Sequence, residues 1–365
     1  MKRRASRLVA AAAFAWLGYV LLHTALSGRW WPMLLADLAP PLLLALAPLV
    51  LAAPAVPAAL AGPGPRRRPR RWLPVVACAV AFALGAGQSG LDLGGWGRGP
   101  GRVPPDAVHI VAWNALYWHQ DDDPDAFYAY LRSFDADVYL IQEYLNWRAD
   151  SDTPLPVDDT ARLRREFPGY RIITAGELLT LSRLPVAGSR ALTDPPGYDS
   201  APPGTDFPAF WRAKTLRTDV RTGGGIIALY NTHIPVQLDT SDGVFTPAFL
   251  KGVRRQSLRR TAAWTSLTGD LLCTAVPRLV AGDLNTTPAM GELDRLDDLL
   301  VRARPTDGGV YPVSWDARRL PLWQLDFTFH DPGVRLHRYR FRDSPGLSDH
   351  SAQEFWITTE GNPRT

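Results

Sequence analysis

The chain has 365 residues, 33 of them proline; 46% are hydrophobic, and the formal net charge is +4. The first 100 residues hold 11 Lys/Arg and two acids, leaving 29 basic and 34 acidic residues beyond them, about −5. The bulk of the chain therefore lacks the basic footprint of a nonspecific nucleic-acid binder, and its two cysteines, Cys78 and Cys273, exclude a disulfide framework.

Residues 1–95 are rich in Ala, Leu, Pro and Val, with Asp37 and Asp92 as their acids. Three apolar runs are visible. Residues 8–26 are uncharged and match the roughly 20 residues that a spanning helix needs. Residues 39–61 read as a kinked span, or alternatively a re-entrant hairpin, because Pro40, Pro41, Pro48, Pro54 and Pro57 interrupt them. Residues 72–90 form the third run, and Gly85, Gly87 and Gly90 suit close helix contacts. A cleavable signal peptide over 1–26 is disfavoured by the two runs that follow it. Soluble core helices are disfavoured because the runs have no polar face. Lys2, Arg3, Arg4 and Arg7 precede the first run, and Arg66, Arg67, Arg68, Arg70 and Arg71 separate the second from the third. The positive-inside rule puts both basic stretches in the cytoplasm. Three spans (8–26, 39–61, 72–90) then make a multi-pass protein of the cytoplasmic membrane with everything after residue 90 outside. A Gly/Pro-rich linker over 96–107 leads to a globular domain over 108–365.

In that domain strand and helix signals alternate. Residues 109–114 read as a strand ending in polar residues. Asp123-Pro124 opens a helix through 134, with Asp as N-cap and Pro in the first turn. Residues 137–143 are a second strand, and Asp159 caps a short helix to 167. Strands follow at 171–174 and 178–183, then a Pro/Gly-rich surface loop at 194–210 and strands at 213–220 and 226–233. A helix over 249–272 turns Arg254, Arg255, Arg259 and Arg260 toward water. A strand at 278–283, a helix at 292–301 and strands at 325–329, 336–341 and 353–358 complete the chain. Continuously apolar strands are covered on both faces, which predicts two packed sheets flanked by helices.

Several of these strands end in, or lead into, polar residues: Trp113-Asn114, Gln142-Glu143, Asn231-Thr232-His233 and Gly282-Asp283-Leu284-Asn285. Leu325-Asp326 and Ser348-Asp349-His350 complete the set. Each has an ordinary explanation; Gly-Asp-Leu-Asn, for example, is good turn chemistry. The specificity lies in their joint order. With Leu181-Ser182-Arg183 they make the chain resemble the endonuclease/exonuclease/phosphatase superfamily over about residues 108–358. Members include pancreatic deoxyribonuclease, apurinic endonucleases, sphingomyelinases and inositol polyphosphate 5-phosphatases. The resemblance implies an α/β fold, a four-layer α/β/β/α sandwich, and a metal-dependent hydrolase acting on phosphate esters.

The chemistry accounts for the residue types. A hard divalent cation with oxygen ligands, Mg2+ or Mn2+, offsets the phosphate charge that repels a nucleophile. The expected metal ligands are Glu143, Asn114 and, from the resemblance, Asp349. Asp283 is placed to orient or deprotonate the attacking water. Asn285 and His233 can donate to phosphate oxygens, and Arg183 joins them as a substrate-binding residue. The resemblance further implies that His350 stabilises the transition state while Asp326 fixes its tautomer and keeps it protonated. The nucleases of this superfamily often carry an Asp two positions after the motif Asn, where this chain has Leu116. His109, His119, His330 and His337 have no motif support and read as structural.

Three spans before an exported domain of this type resemble the VanJ-type membrane proteins associated with teicoplanin resistance. That implies hydrolysis of a lipid-linked phosphate or pyrophosphate of the envelope, with membrane lipids as partners. An anchored extracellular nuclease or phospholipid phosphodiesterase is the alternative; the charge of about −5 and Leu116 weigh against nucleic acid. A catalytically inactive membrane-anchored binding module is a further alternative, disfavoured by the intact polar set. Phosphomonoester, diester and pyrophosphate all fit these residues, and the oligomeric state is open.

Overall fold

A computed structural model describes residues 2–60, 68–95, 99, 101–148, 150–151, 153–238, 243–244, 246–307, 309–317 and 320–359. Arg66 and Arg67 of the basic stretch, and 96–98 and 100 of the linker, lie outside them. The chain divides into two units, Met1–Leu91 with Thr287–Leu293, and Asp92–Thr286 with Asp294–Thr365.

The first unit contains α1 (Lys2–Leu26), α2 (Met33–Ala36), α3 (Leu43–Leu60) and α4 (Arg68–Ala86). Pro40 and Pro41 precede the helix of the second apolar run, while Pro48, Pro54 and Pro57 lie inside one continuous α3 and do not break it. Three spans were expected, but two helices among the described residues are long and apolar enough to cross a membrane, Arg4–Leu26 and Leu43–Leu60. The physical reason is visible in α4. Arg68, Arg70 and Arg71 occupy its first turn, and the helix ends at Ala86. Its apolar part, 72–86, falls short of the roughly 20 residues that a bilayer core requires. Gly85 does serve close packing, since a Cβ there would lie 2.5 Å from Leu44 O on α3; Gly87 has no such neighbour. A buried polar cluster closes one end of the bundle. His23 Nε2 lies 2.8 Å from Asp37 Oδ1, and Ser27 Oγ donates to the same oxygen (2.9 Å); at the exposed edge Gln88 Nε2 donates to Thr24 Oγ1 (2.9 Å).

The second unit carries, in chain order, β1 (Val108–Asn114), α5 (Pro124–Arg132), β2 (Val138–Gln142), β3 (Leu145–Arg148), β4 (Thr153–Pro156) and α6 (Thr160–Glu166). Next come β5 (Arg171–Ala175), β6 (Leu178–Ser182), β7 (Val186–Leu192), α7 (Pro208–Arg212), β8 (Thr215–Thr222), β9 (Gly225–His233) and α8 (Pro247–Cys273). The rest are β10 (Arg278–Asp283), α9 (Asp294–Asp297), β11 (Val301–Arg302), β12 (Trp315–Ala317), β13 (Leu320–Trp323), β14 (Asp326–His330), β15 (Val334–Arg342) and β16 (Ala352–Thr359).

Two six-stranded sheets form, in the orders β15-β16-β1-β2-β6-β5 and β11-β14-β10-β9-β8-β7. Ile110, Ala112 and Leu140 of the first sheet share one buried cluster with Ile227, Leu229, Leu279 and Ala281 of the second. The opposite face of the first sheet packs Val111, Trp113 and Ile141 against Phe127, Leu131 and Leu163 of α5 and α6. Strands buried on both faces need apolar residues at consecutive positions, which explains the unbroken runs in β1 and β2.

Local expectations meet a mixed outcome. Asp123 accepts from Asp125 N (3.0 Å) and caps α5. Asp159 makes no side-chain cap on α6; its carboxylate instead accepts from Tyr128 OH (2.6 Å) and Trp118 Nε1 (3.2 Å). The helix expected over 292–301 shrinks to the four residues of α9. Arg260 does not face water: it is fully buried, donating to Asn285 O (3.0 Å) and Thr286 Oγ1 (2.8 Å).

Candidate active site

Strand register gathers the predicted residues at one end of both sheets. β1 and β2 run parallel with Asn114 opposite Gln142, so Glu143 leaves β2 beside Asn114. In the second sheet Asp283 pairs in register with His233 on one side and Asp326 on the other. Gly282 makes this register possible. Its φ is +143°, and a Cβ there would lie 2.1 Å from Thr232 O, so only glycine fits between the strands.

Asn114 Nδ2 joins the two sheets, donating to Glu143 Oε1 (2.9 Å) and to Asp283 Oδ2 (3.0 Å). Glu143 Oε2 accepts from Tyr117 N (3.1 Å). Glu143 and Asn285 both adopt left-handed backbone, at φ 60° and 44°. That conformation is costly for non-glycine residues and concentrates at functional sites. Burial pushes the Glu143 carboxyl above its usual range, against the opposing pull of His233.

Two imidazoles flank Asp283. His350 Nε2 and His233 Nε2 each lie 3.6 Å from Asp283 Oδ2. Behind His350, Nδ1 meets Asp326 Oδ2 at 2.8 Å, and Ser314 Oγ donates to the same oxygen (2.7 Å). Burial opposes the His350 charge, but Asp326 and Asp283 outweigh it and hold the imidazole up at about 10. Burial raises the Asp326 carboxyl to about 6, although His350 pulls the other way. The backbone of His350 is fixed by Trp113 Nε1 and Ser344 Oγ, which donate to its carbonyl (3.1 and 2.6 Å).

Behind His233 stands Glu177, with Oε2 3.1 Å from Nδ1, and Lys214 Nζ pairs with Oε1 of the same carboxylate. Burial disfavours the Glu177 charge, yet His233 and Lys214 hold its carboxyl down at about 2. His233 is raised despite its burial, chiefly by Glu177. Asn285 Nδ2 donates to Ile234 O (2.9 Å) and Asp283 Oδ2 (3.2 Å) and lies 3.2 Å from His233 Nε2.

The structure thus brings together Asn114, Glu143, His233, Asp283, Asn285, Asp326 and His350. Asp349 lies at the margin: Trp315 Nε1 donates to its Oδ2 (2.8 Å), and its Oδ1 is 3.9 Å from His350 Nε2. Arg183 is not brought there. It follows the far end of β6, and its guanidinium is committed to Asp135 and Asp137 (both 2.7 Å). Glu177 and Lys214 were not anticipated. A Glu after Gly176 at the mouth of an apolar strand reads as a solvated turn residue, and nothing local in the sequence pairs it with a lysine 37 positions away. Asp283, Asp326 and His350 also bring ligand atoms within 4.8 Å of one another, a cluster able to hold a metal ion.

The family model described as endonuclease/exonuclease/phosphatase matches residues 111–350. The chain belongs to this family. Its members include phosphodiesterases, nucleases and sphingomyelinases, hydrolases that act on phosphate esters. Among solved structures it is similar to an endonuclease/exonuclease/phosphatase from Beutenbergia cavernae (17% identity, 71% of this chain and 73% of that one, TM-score 0.48). It is also similar to the human Nocturnin catalytic domain (14%, 71% and 96%, 0.45). A third is sphingomyelinase C from Streptomyces griseocarneus (15%, 68% and 99%, 0.43). No curated protein matches the chain.

Proposed function

We propose that this family member is a divalent-metal-dependent phosphoesterase on the outer side of the cytoplasmic membrane, acting on a lipid-linked phosphate or pyrophosphate of the envelope. One observation carries the catalytic part: two imidazoles, each backed by a carboxylate, converge on Asp283 Oδ2.

The donor set fits a hard cation, Mg2+ or Mn2+. Within the Asp283, Asp326 and His350 cluster, the imidazole Nδ1 and the Asp326 carboxylate already bond each other. The oxygen-rich side made by Glu143 and Asn114, with Asp349 as contributor, is the better match to an ion that prefers oxygen. Bound there, the ion offsets phosphate charge. Asp283 accepts the proton of the attacking water, its carboxylate held by the Asn114 and Asn285 amides. His350, kept protonated by Asp326, donates from Nε2 to a phosphate oxygen as charge builds on it. His233 and Asn285 meet a second oxygen.

The membrane part is supported by the two apolar helices. Although its apolar part is shorter, we take α4 as a third crossing because it packs against both: Ala77 and Cys78 share a cluster with Ala13, and Gly85 sits on Leu44. That odd number, with the basic N-terminus inside, exports the domain. Nucleic acid is disfavoured by the charge of about −5 beyond residue 100. It is also disfavoured by Leu116, whose backbone N–H, and no carboxylate, meets Asn114 Oδ1.

The test has two arms. Purified full-length protein is assayed on undecaprenyl pyrophosphate, bis(4-nitrophenyl) phosphate, sphingomyelin and plasmid DNA, with and without EDTA. Lipid-pyrophosphate hydrolysis that EDTA abolishes is expected; EDTA-resistant activity, or hydrolysis of DNA alone, overturns the reading. Cys273 is exposed while Cys78 is buried, so an impermeant maleimide on intact cells reports the sidedness of Cys273 directly. Labelling is expected, and protection until lysis would place the domain inside.

A further inference from the structure

The two units interleave in sequence at one place. Thr287–Leu293 belongs to the first unit, although the chain up to Thr286 and again from Asp294 belongs to the second. A stretch that begins two positions after Asn285 is thus packed among α1, α3 and α4. Ala289 shares a buried cluster with Val20 of α1, Leu44 of α3 and Ala81 of α4. Val20 and Ala81 lie in the C-terminal halves of their helices and Leu44 at the start of its own, so the segment meets the end of the bundle at which the chain leaves α4.

Two residues just after α1 hold the segment by its backbone. The Ser27 hydroxyl donates to Asp37 Oδ1 (2.9 Å) and accepts from Gly291 N (3.1 Å), so its proton and a lone pair are both committed. Gly28 has φ +70°, the conformation in which glycine ends a helix, and a Cβ there would lie 2.6 Å from Glu292 N and from Gly291 C. Both are main-chain atoms, so a side chain at position 28 is accommodated only by moving the segment. The chain between this hold and the catalytic residues has little slack. Met290 N and Leu293 N close two turns onto Thr287 O and Met290 O (3.0 and 3.2 Å). Asn285, at φ 44°, donates from N to Asp283 Oδ1 (2.7 Å), and buried Arg260 grips Asn285 O and Thr286 Oγ1 (3.0 and 2.8 Å). An anchor alone would need only the linker and would leave the chain beyond Asn285 to the second unit.

We propose that the helical unit is part of the catalytic scaffold: Ser27 and Gly28 are positioning residues that fix Thr287–Leu293 and, through it, Asp283 and Asn285. The inference rests on the roles given to Asp283 and Asn285 above. It makes hydrolysis of every phosphate ester, water-soluble ones included, depend on the helices.

The experiment uses full-length protein in nanodiscs with Mg2+ and bis(4-nitrophenyl) phosphate, so that access from the lipid plays no part. Gly28→Ala and Ser27→Ala are compared with two controls in the same bundle. In Gly87→Ala the new Cβ meets nothing within 4 Å. Ala13→Leu overpacks the contact with Ala77 and Cys78, a cluster separate from that of Ala289. Gly28→Ala and Ser27→Ala should each lower kcat by at least about tenfold, as a small misplacement remote from the chemistry can do, with a lesser change in KM. Gly87→Ala should match the wild type, and Ala13→Leu should lower the thermal midpoint without lowering kcat. Hydrogen exchange over residues 284–293, read without substrate or metal, should quicken in Gly28→Ala and Ser27→Ala but not in Ala13→Leu. Unchanged kcat in both Gly28→Ala and Ser27→Ala overturns the inference. So does a loss of kcat without faster exchange over 284–293, or an equal loss in Ala13→Leu, which would mark a general weakening of the bundle. These results leave the phosphoesterase reading standing, because the wild type still hydrolyses the ester. A wild type inactive on every ester overturns both.

Discussion

The two imidazole–carboxylate pairs that flank Asp283 look alike in geometry and differ in charge. In one, Asp326 holds His350 with a neutral helper, the Ser314 hydroxyl. In the other, Glu177 holds His233 with a second cation, Lys214. The consequence is opposite for the two acids: burial lifts the Asp326 carboxyl to about 6, while Glu177 is held at about 2. Both imidazoles are raised, each chiefly by the carboxylate behind it. The difference lies in the carboxylates: Glu177 also holds Lys214, so the His233 pair doubles as a brace, whereas Asp326 serves His350.

The largest expected effect removes what the pairs share. Asp283→Asn keeps the shape but not the proton acceptor, and turnover should fall by about 10²–10⁴, the range for general-base catalysis. Glu143→Gln, in which the expected metal ligand loses its charge, should cost at least roughly 100-fold. Near wild-type rates in a correctly folded Asp283→Asn protein would detach both imidazoles from any common centre.

The next effect separates the pairs. If Asp326 acts only through His350, the double substitution Asp326→Asn with His350→Ala should lose about as much rate as His350→Ala alone. Full multiplication of the two single losses would show that Asp326 does something else. The same cycle on Glu177 and His233 should be less complete, because Glu177 also holds Lys214.

Much of this site was legible because β-strand register delivers strand ends to one rim. Asn114, Glu143, His233 and Asp283 each end or follow an apolar run, and pairing alone brings them together. Asp326 follows for the same reason, lying opposite Asp283. Glu177, Lys214 and Arg260 were hidden because their roles depend on tertiary burial. A charged residue in a turn or on a helix has no periodicity that says which partner will meet it. Arg183 failed in the opposite way: its motif is present, but the antiparallel course of β6 carries it to the wrong end of the sheet. The third run was misread in its extent: four helical positions go to Arg68–Arg71 and the helix ends at Ala86, a boundary that hydropathy alone does not locate.

A smaller effect tests the lysine. Lys214 and Glu177 are both buried, and removing one partner of a buried pair strands the other charge. Here His233 remains to take up part of that charge, so Lys214→Met should destabilise by less than the roughly 3–5 kcal/mol typical of such a loss. Thermal unfolding in detergent gives the measurement. An unchanged midpoint would mean that His233 alone satisfies Glu177, and the contrast between the two pairs would disappear.

The smallest effect concerns pH, and the two pairs predict opposite limbs. Glu177 is depressed to about 2 from an ordinary 4.5. Its stabilising contribution is therefore present above about 4.5 and lost as pH falls toward 2. His350 is raised to about 10 from an ordinary 6.5. Its contribution is complete below about 6.5 and lost as pH rises toward 10. Stability should accordingly be greatest between these limbs, with a different pair contributing to each; Glu354, held down at about 2 by His109 and Arg340, shares the acid limb. Glu177→Gln should reduce the fall between about pH 4.5 and 2 and leave the alkaline side as it is. His350→Gln should do the reverse between about 6.5 and 10. Unfolding midpoints across that range, measured on wild type and both variants with EDTA present, assign the limbs. If both substitutions flatten the same limb, the pairs titrate as one unit through Asp283, and the division of labour between them fails.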